Sequence, residues 1–268
     1  LTESTNARHD EVVRVEQRGP VRWITISREA RRNALNARVV AEIGRAIETA
    51  ESVEGCLAIV LTGAGTRAFC AGADLEPGAQ GFAFAVDHSR PTHYLVDLFK
   101  LMRGCRLPII ARVNGHVMAG GVGLLCACDM AVAAEHAMIG TPETKIGLVP
   151  MMILPGMLRV IPERKLLEMC LTGEPIGAPE ALALGIVNHL APQEELDAKL
   201  EWLLARLLDK SPTAIRIGKQ AFHAMRDMSV EQGLEYAQVM VTAMASTRDA
   251  QEGIRAFGEK RPPAWTGS

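Results

Sequence analysis

Two short stretches of this chain bring small residues to places where a bare main-chain amide can face a ligand. They are Phe69-Cys70-Ala71-Gly72-Ala73-Asp74-Leu75 and Asn114-Gly115-His116-Val117-Met118-Ala119-Gly120-Gly121. Each follows an apolar, strand-like run. Two amides that converge on one carbonyl oxygen form an oxyanion hole, which suits chemistry in which a thioester becomes an enolate. Other site chemistries fail on spacing. Gly63-Ala64-Gly65 lacks the third glycine of a dinucleotide fingerprint, and no helix-like pattern follows it. No Gly-x-Ser-x-Gly elbow occurs, and the histidines show no His-Glu-x-x-His or comparable metal spacing.

The elements that must position these stretches read as follows. Residues 12–16 and 21–27 alternate and predict a hairpin about Gly19-Pro20. Val39, Ile43, Ala46, Ile47 and Ala50 fall on one face of an amphipathic helix. Residues 57–62, 108–113 and 130–133 are short apolar strands. Helices are expected over 94–103 and from Gly120 through Cys128, and a polar, glycine-rich loop runs from about 76 to 92. This recurrence of strand, helix and strand predicts an α/β core. Residues 179–184 read as a helix stopped by Gly185, and 186–190 as a last short strand.

Beyond that point the chain reads as helical. Leu196, Leu200, Leu203, Leu204, Leu207 and Leu208 form one apolar stripe. Ser211-Pro212 reads as an N-cap with proline at the first helical position, and Ser229 with Gln232 as a capping box. These helices carry more apolar surface than they can hide alone, so packing on other subunits is expected. The expected division is therefore a core over 1–195 and a helical oligomerisation region over 196–268.

At 268 residues the chain is long enough for a substantial core. Its net charge of −2 points to neither a nucleic-acid partner nor a membrane surface. The six cysteines are scattered through apolar stretches and are expected to be reduced and mostly buried, as in a cytoplasmic protein. No stretch has the length and apolarity of a membrane span, and the first residues lack the apolar centre of a signal peptide.

Taken together, these residues resemble the crotonase superfamily, also called the enoyl-CoA hydratase/isomerase family. The resemblance rests on Arg32-Asn33-Ala34-Leu35-Asn36, the two stretches above running on to Cys128-Asp129, Gly140-Thr141-Pro142-Glu143, Gly147-Leu148-Val149-Pro150, Leu171-Thr172-Gly173, Ala183-Leu184-Gly185-Ile186-Val187 and Phe257-Gly258-Glu259-Lys260-Arg261-Pro262-Pro263. It implies an α/β fold, a spiral of ββα turns with a C-terminal helical region, assembled as a homotrimer or a dimer of trimers. It implies an acyl-CoA substrate and no separate cofactor, because coenzyme A is carried by the thioester. By position the resemblance assigns the oxyanion amides to Ala71 and Gly120. It sets Ala34, Leu35, Ala73, Asp74 and Leu75 along the CoA. Lys260, from this or a neighbouring subunit, is either a contact to the CoA phosphates or a solvated lysine.

The resemblance breaks at one position. Hydratases of the family generally use two glutamates, of which Glu143 retains the second. Gly123 occupies the place of the first and can move no proton. One carboxylate suits 1,3-proton transfer, so double-bond isomerisation stands beside an enoyl-CoA hydratase-like activity. A non-catalytic acyl-CoA binder is the rival from another class. Asp87, His88, His93 and Tyr94 are candidates to replace the missing acid, or ordinary residues of a polar loop. His116 is expected to be a packed core histidine. Met151 and Met152 are expected in the core, with an acyl-pocket lining as the alternative.

Overall fold

The computed structural model describes residues 11–75, 89 and 92–268. Two sheets form its centre. The larger has the order β1 (Val13–Arg18), β2 (Val21–Ile26), β3 (Ala58–Gly63), β5 (Ile109–Val113), β7 (Met130–Ala134), β10 (His189–Ala191). In this sheet only the β1–β2 hairpin is antiparallel, turning through Gly19 at positive φ as its sequence predicts. The smaller has the order β4 (Ala68–Cys70), β6 (His116–Met118), β8 (Met138–Gly140), β9 (Ile176–Gly177). Thus β3, β5 and β7 each lie in the first sheet, and β4, β6 and β8, which follow them directly, lie in the second. After each such pair the chain turns into helix, which is the ββα spiral.

The helices pack where their apolar spacing directs them. In α1 (Ala37–Ala50) the predicted face is buried, and the Asn36 side chain caps the N-terminus by accepting the Val39 amide. α2 (Tyr94–Gly104) buries Leu95, Leu98 and Met102. α3 (Gly120–Ala127) is buried along most of its length, as its glycines and uncharged residues predict. α4 (Leu154–Met157), α5 (Glu163–Thr172) and α6 (Ala178–Ala183) complete the core.

The last strand departs from expectation. Ile186 and Val187 are buried but do not extend it, because their amides close α6 on the Ala181 carbonyl. Pairing with β7 begins only where Asn188 clamps Ala131, donating its amide at 2.9 Å and accepting through its side chain at 2.7 Å.

Four longer helices follow. α7 (Leu196–Leu208) lays Leu196, Leu200 and Leu204 against Val21, Trp23, Val60, Ile110 and Val132 on the outer face of the large sheet. α8 (Pro212–Met225) and α9 (Val230–Ala245) carry the Ser211 and Ser229 caps that the sequence predicts, the latter as a complete capping box. α10 (Arg248–Glu259) packs on α8 and α9. No residue of α9 is buried, and Val230, Leu234, Val239 and Val241 are exposed. Among the described residues all six cysteines are free, and no helix is long and apolar enough to cross a membrane.

Candidate active site

The site is built where β4 and β6 release the chain side by side. Arg32 and Asn33 adopt left-handed backbone, and Asn33 is almost fully buried. Its side-chain amide donates to the carbonyls of Ala64 at 3.0 Å and Ala68 at 2.7 Å, and its oxygen accepts the Arg28 amide at 3.1 Å. This fixes Ala34-Leu35 beside the segment that leaves β4. A single parallel bridge joins Leu35 to Ala73. In it Leu35 donates to the Gly72 carbonyl and Asp74 donates to the Leu35 carbonyl, both at 2.7 Å.

In such a bridge the flanking residues form the bonds, so the Ala73 amide faces away from Leu35. It makes no hydrogen bond among the described residues. On that side stands Gly120, where an added Cβ would come 3.6 Å from the Ala73 nitrogen. Gly120 opens α3, so its own amide has no intrahelical acceptor, and the positive end of the helix dipole adds to it. Gly72 permits the approach. Its φ is +92°, and a Cβ there would lie 2.6 Å from the Ala119 methyl and 3.0 Å from the Gly120 nitrogen.

This geometry corrects the sequence assignment of Ala71. The Ala71 amide donates to the Arg32 carbonyl at 3.1 Å and is committed there. The amide that meets Gly120 belongs to Ala73, a residue the sequence set along the CoA. The available signal was Gly72, whose positive φ turns the chain between Ala71 and Ala73.

Glu143 is positioned by the end of the second sheet. β8 ends at Gly140, whose carbonyl accepts the Ala119 amide at 2.9 Å. The chain then turns through Thr141 into a short 3-10 helix, Pro142–Ile146, with Glu143 in its first turn. The Glu143 Oε2 is buried with no hydrogen-bond partner among the described residues. Burial pushes its carboxyl above the ordinary glutamate range, against a smaller lowering by its own backbone amide. A carboxylate with one buried oxygen left unpaired in this way is a stronger base than an exposed one.

The place of the missing acid is filled. A Cβ on Gly123 would lie 2.3 Å from Ile153 Cγ2 and 2.8 Å from Phe99 Cζ. Apolar side chains from α2 and the turn before α4 therefore occupy the space a second carboxylate would need.

The remaining candidates are placed unevenly. Asp74 is held by Arg28, whose guanidinium donates to its carboxylate at 2.7 Å and to the Ala34 carbonyl at 2.6 Å. Leu75 is exposed, whereas the Leu35 side chain lies in the core, leaving only its backbone to this wall. Lys260 sits exposed at the end of α10, and that helix packs on α8 and α9 rather than on the Ala34–Asp74 wall. His93 caps α2 by accepting the Leu95 amide at 3.2 Å. Burial pushes the neighbouring Tyr94 phenol up.

His116 is not in the core. It ends up exposed at the start of β6, where its ring accepts the Met138 amide at 3.2 Å, because alternation along this short strand turns it outward. Met151 is 69% exposed, contrary to a core role, while Met152 is half-buried. Asp87 and His88 lie outside the described residues.

The Arg28 bridge has a measurable consequence. Arg28→Met removes the guanidinium from Asp74 and from the Ala34 carbonyl, and acyl-CoA KM is expected to rise about tenfold with kcat little changed, the loss of roughly one charged hydrogen bond. Steady-state kinetics on the variant checks this. A fall in kcat at constant KM would place the bridge in the chemistry instead.

The enoyl-CoA hydratase/isomerase family model matches residues 16–268. A Thermus thermophilus protein, named provisionally an enoyl-CoA hydratase, is 36% identical over 94% of this chain and 99% of its own length. The carnitinyl-CoA dehydratase of Salmonella arizonae is 35% identical over 96% of this chain and 99% of its own. Among solved structures, the enoyl-CoA hydratase of Bacillus anthracis superposes with a TM-score of 0.86 at 28% identity, covering 96% of this chain and all of that one. The chain belongs to the enoyl-CoA hydratase/isomerase family and has the crotonase fold.

Proposed function

We propose that the protein is an enoyl-CoA hydratase-like lyase whose substrate thioester oxygen is held by the amides of Ala73 and Gly120, with Glu143 as its one proton-transferring side chain. The observations that carry this reading are the buried, unpartnered Glu143 Oε2 and the two unengaged amides of Ala73 and Gly120. In hydration Glu143 takes a proton from water as the water oxygen bonds to the β-carbon. The electron pair of the C2–C3 double bond moves toward the thioester carbonyl and forms the enolate. Each amide stabilises that oxyanion by about 2.7–4 kcal/mol. Glu143 then returns the proton to the α-carbon, so the elements of water are added and the carboxylate is regenerated. Dehydration is the reverse. Coenzyme A arrives as part of the substrate, and no further cofactor is invoked.

A second reading is favoured by the filling of the Gly123 site with Ile153 and Phe99. A lone base in an apolar pocket suits removal of a proton from the α-carbon of a 3-enoyl thioester and its return two carbons away. A purely binding role is disfavoured, since burying an unpaired carboxylate costs stability and a binder gains nothing from it. The family reading also carries assembly as a homotrimer or dimer of trimers and cytoplasmic residence. The exposed apolar residues of α9 and α10 support the assembly.

The test offers crotonyl-CoA and a 3-enoyl-CoA separately in deuterated water. Loss of the conjugated absorbance from crotonyl-CoA is the result expected for hydration. Gain of that absorbance from the 3-enoyl substrate would transfer the assignment to isomerisation. Silence with both, together with intact acyl-CoA binding, would leave the binder.

A further inference from the structure

A cavity of about 970 Å³ opens along α3, bounded also by α2, α4 and α8. Its inner wall includes Gly123 and Ala127. These follow Gly120 by three and seven residues, so all three share one face of α3. The cavity therefore begins one helical turn beyond the amide assigned to the thioester oxygen. Phe99, Met152, Ile153 and Leu125 make this end apolar.

The opposite end is cationic. Lys219 and Asp129 line it as a pair at 2.7 Å, with His223 at 3.3 Å from the same carboxylate, and this group is internally balanced. The other charged lining residues are Lys100, Arg103, Arg159 and Arg226, and every one is basic. Arg103 and Arg159 share a single carboxylate, Asp227. The Arg226 guanidinium donates to the Arg159 carbonyl instead of to an acid. Burial, together with the charges of Arg159 and Arg103, pushes Arg226 below the ordinary arginine range, against a raising by the Asp227 carboxylate. An apolar channel leading to such a rim is complementary to an apolar chain that ends in a negative charge. A carboxylate matches the forked donors of arginine.

We propose that this cavity receives the far end of the acyl chain and that Arg103, Arg159 and Arg226 select chains ending in a carboxylate, the monothioesters of dicarboxylic acids. The inference rests on the acyl-CoA reading above and deepens it.

Binding, measured by calorimetry, tests it without requiring turnover. Hexanoyl-, octanoyl- and decanoyl-CoA are compared with adipyl-, suberyl- and sebacyl-CoA on the wild-type protein and on Arg226→Gln and Arg159→Gln. At least one carboxylated chain is expected to bind about tenfold more tightly than its uncharged counterpart, with the preference shrinking as salt is added. Each variant is expected to erase that preference while holding the uncharged series within about twofold, which also reports that the variant is folded. Equal binding of both series at every length would overturn the proposal and leave the acyl-CoA reading standing. So would a variant that weakens both series alike, which would assign the guanidiniums to the CoA phosphates or to the fold. If neither series binds, the acyl-CoA reading itself fails, and this proposal falls with it.

Discussion

Glu143→Gln is expected to lower kcat by about 10²- to 10⁴-fold while leaving acyl-CoA affinity nearly unchanged. The amide is almost isosteric and keeps the packing, but it cannot accept the proton that every step of the proposed chemistry routes through this side chain. The same substitution is expected to make the protein more stable at neutral pH. The folded state raises the pKa of Glu143 above its ordinary value of 4.5, so it holds this proton more tightly than the unfolded chain does. Between those two values folding is linked to proton uptake, and stability falls as pH rises through the window. Below it the penalty is absent; above it the penalty is full. Melting curves of the two proteins should therefore coincide most closely at acid pH and separate toward neutrality, with the variant higher. The acid limb of the wild-type pH–rate profile should lie above the ordinary carboxylate range. A limb at the ordinary value, or a variant with wild-type turnover, would remove Glu143 from the chemistry.

Restoring a glutamate at Gly123 is expected to damage the protein rather than complete a two-acid site. In Gly123→Glu the first side-chain carbon alone would arrive 2.3 Å from Ile153 Cγ2 and 2.9 Å from its Cβ. The Cβ of Ile153 is a branch point close to the backbone, so it cannot swing aside as the end of a flexible chain can. Overpacking of this kind costs about 1–3 kcal/mol. A carboxylate forced among Ile153 and Phe99 adds several more. A fall in Tm of roughly 10 °C is the expected reading for a chain of this size. Adding Ile153→Gly removes the obstructing branch and should recover part of that loss. A single variant that melts like wild type and hydrates crotonyl-CoA faster would show that the apolar filling does not exclude the second acid.

These two experiments probe features that the sequence disclosed to different degrees. Local signals were legible: the apolar face of α1, the turn at Gly19-Pro20, and the caps at Ser211 and Ser229 each depend on residues a few positions apart. Glu143 and Gly120 were named through family resemblance, and each follows a strand of the second sheet. The choice between Ala71 and Ala73 was not. Which of two neighbouring amides is unengaged depends on the partners each finds, the Arg32 carbonyl for one and none for the other. Those partners come from a segment some 40 residues away in sequence, and no spacing rule encodes them.

Two other departures have the same origin. Gly123 reads as an absence in the sequence, yet its meaning lies in Ile153, 30 positions later, which fills the space that glycine vacates. Ile186 and Val187 have the composition of a strand and the burial of one. They lose the conformation because the end of α6 claims their amides first.

α9 is sixteen residues long, close to the minimum for a helix to persist unaided in water, and none of its side chains is buried within this chain. Inside the protomer it packs chiefly on α8 and α10, so its backbone can open without disturbing the sheets. In an isolated protomer a protease is expected to cut within α9, leaving α10 tied to α8 through the Ser211–Asp249 hydrogen bond and the Ala73–Gly120 junction whole.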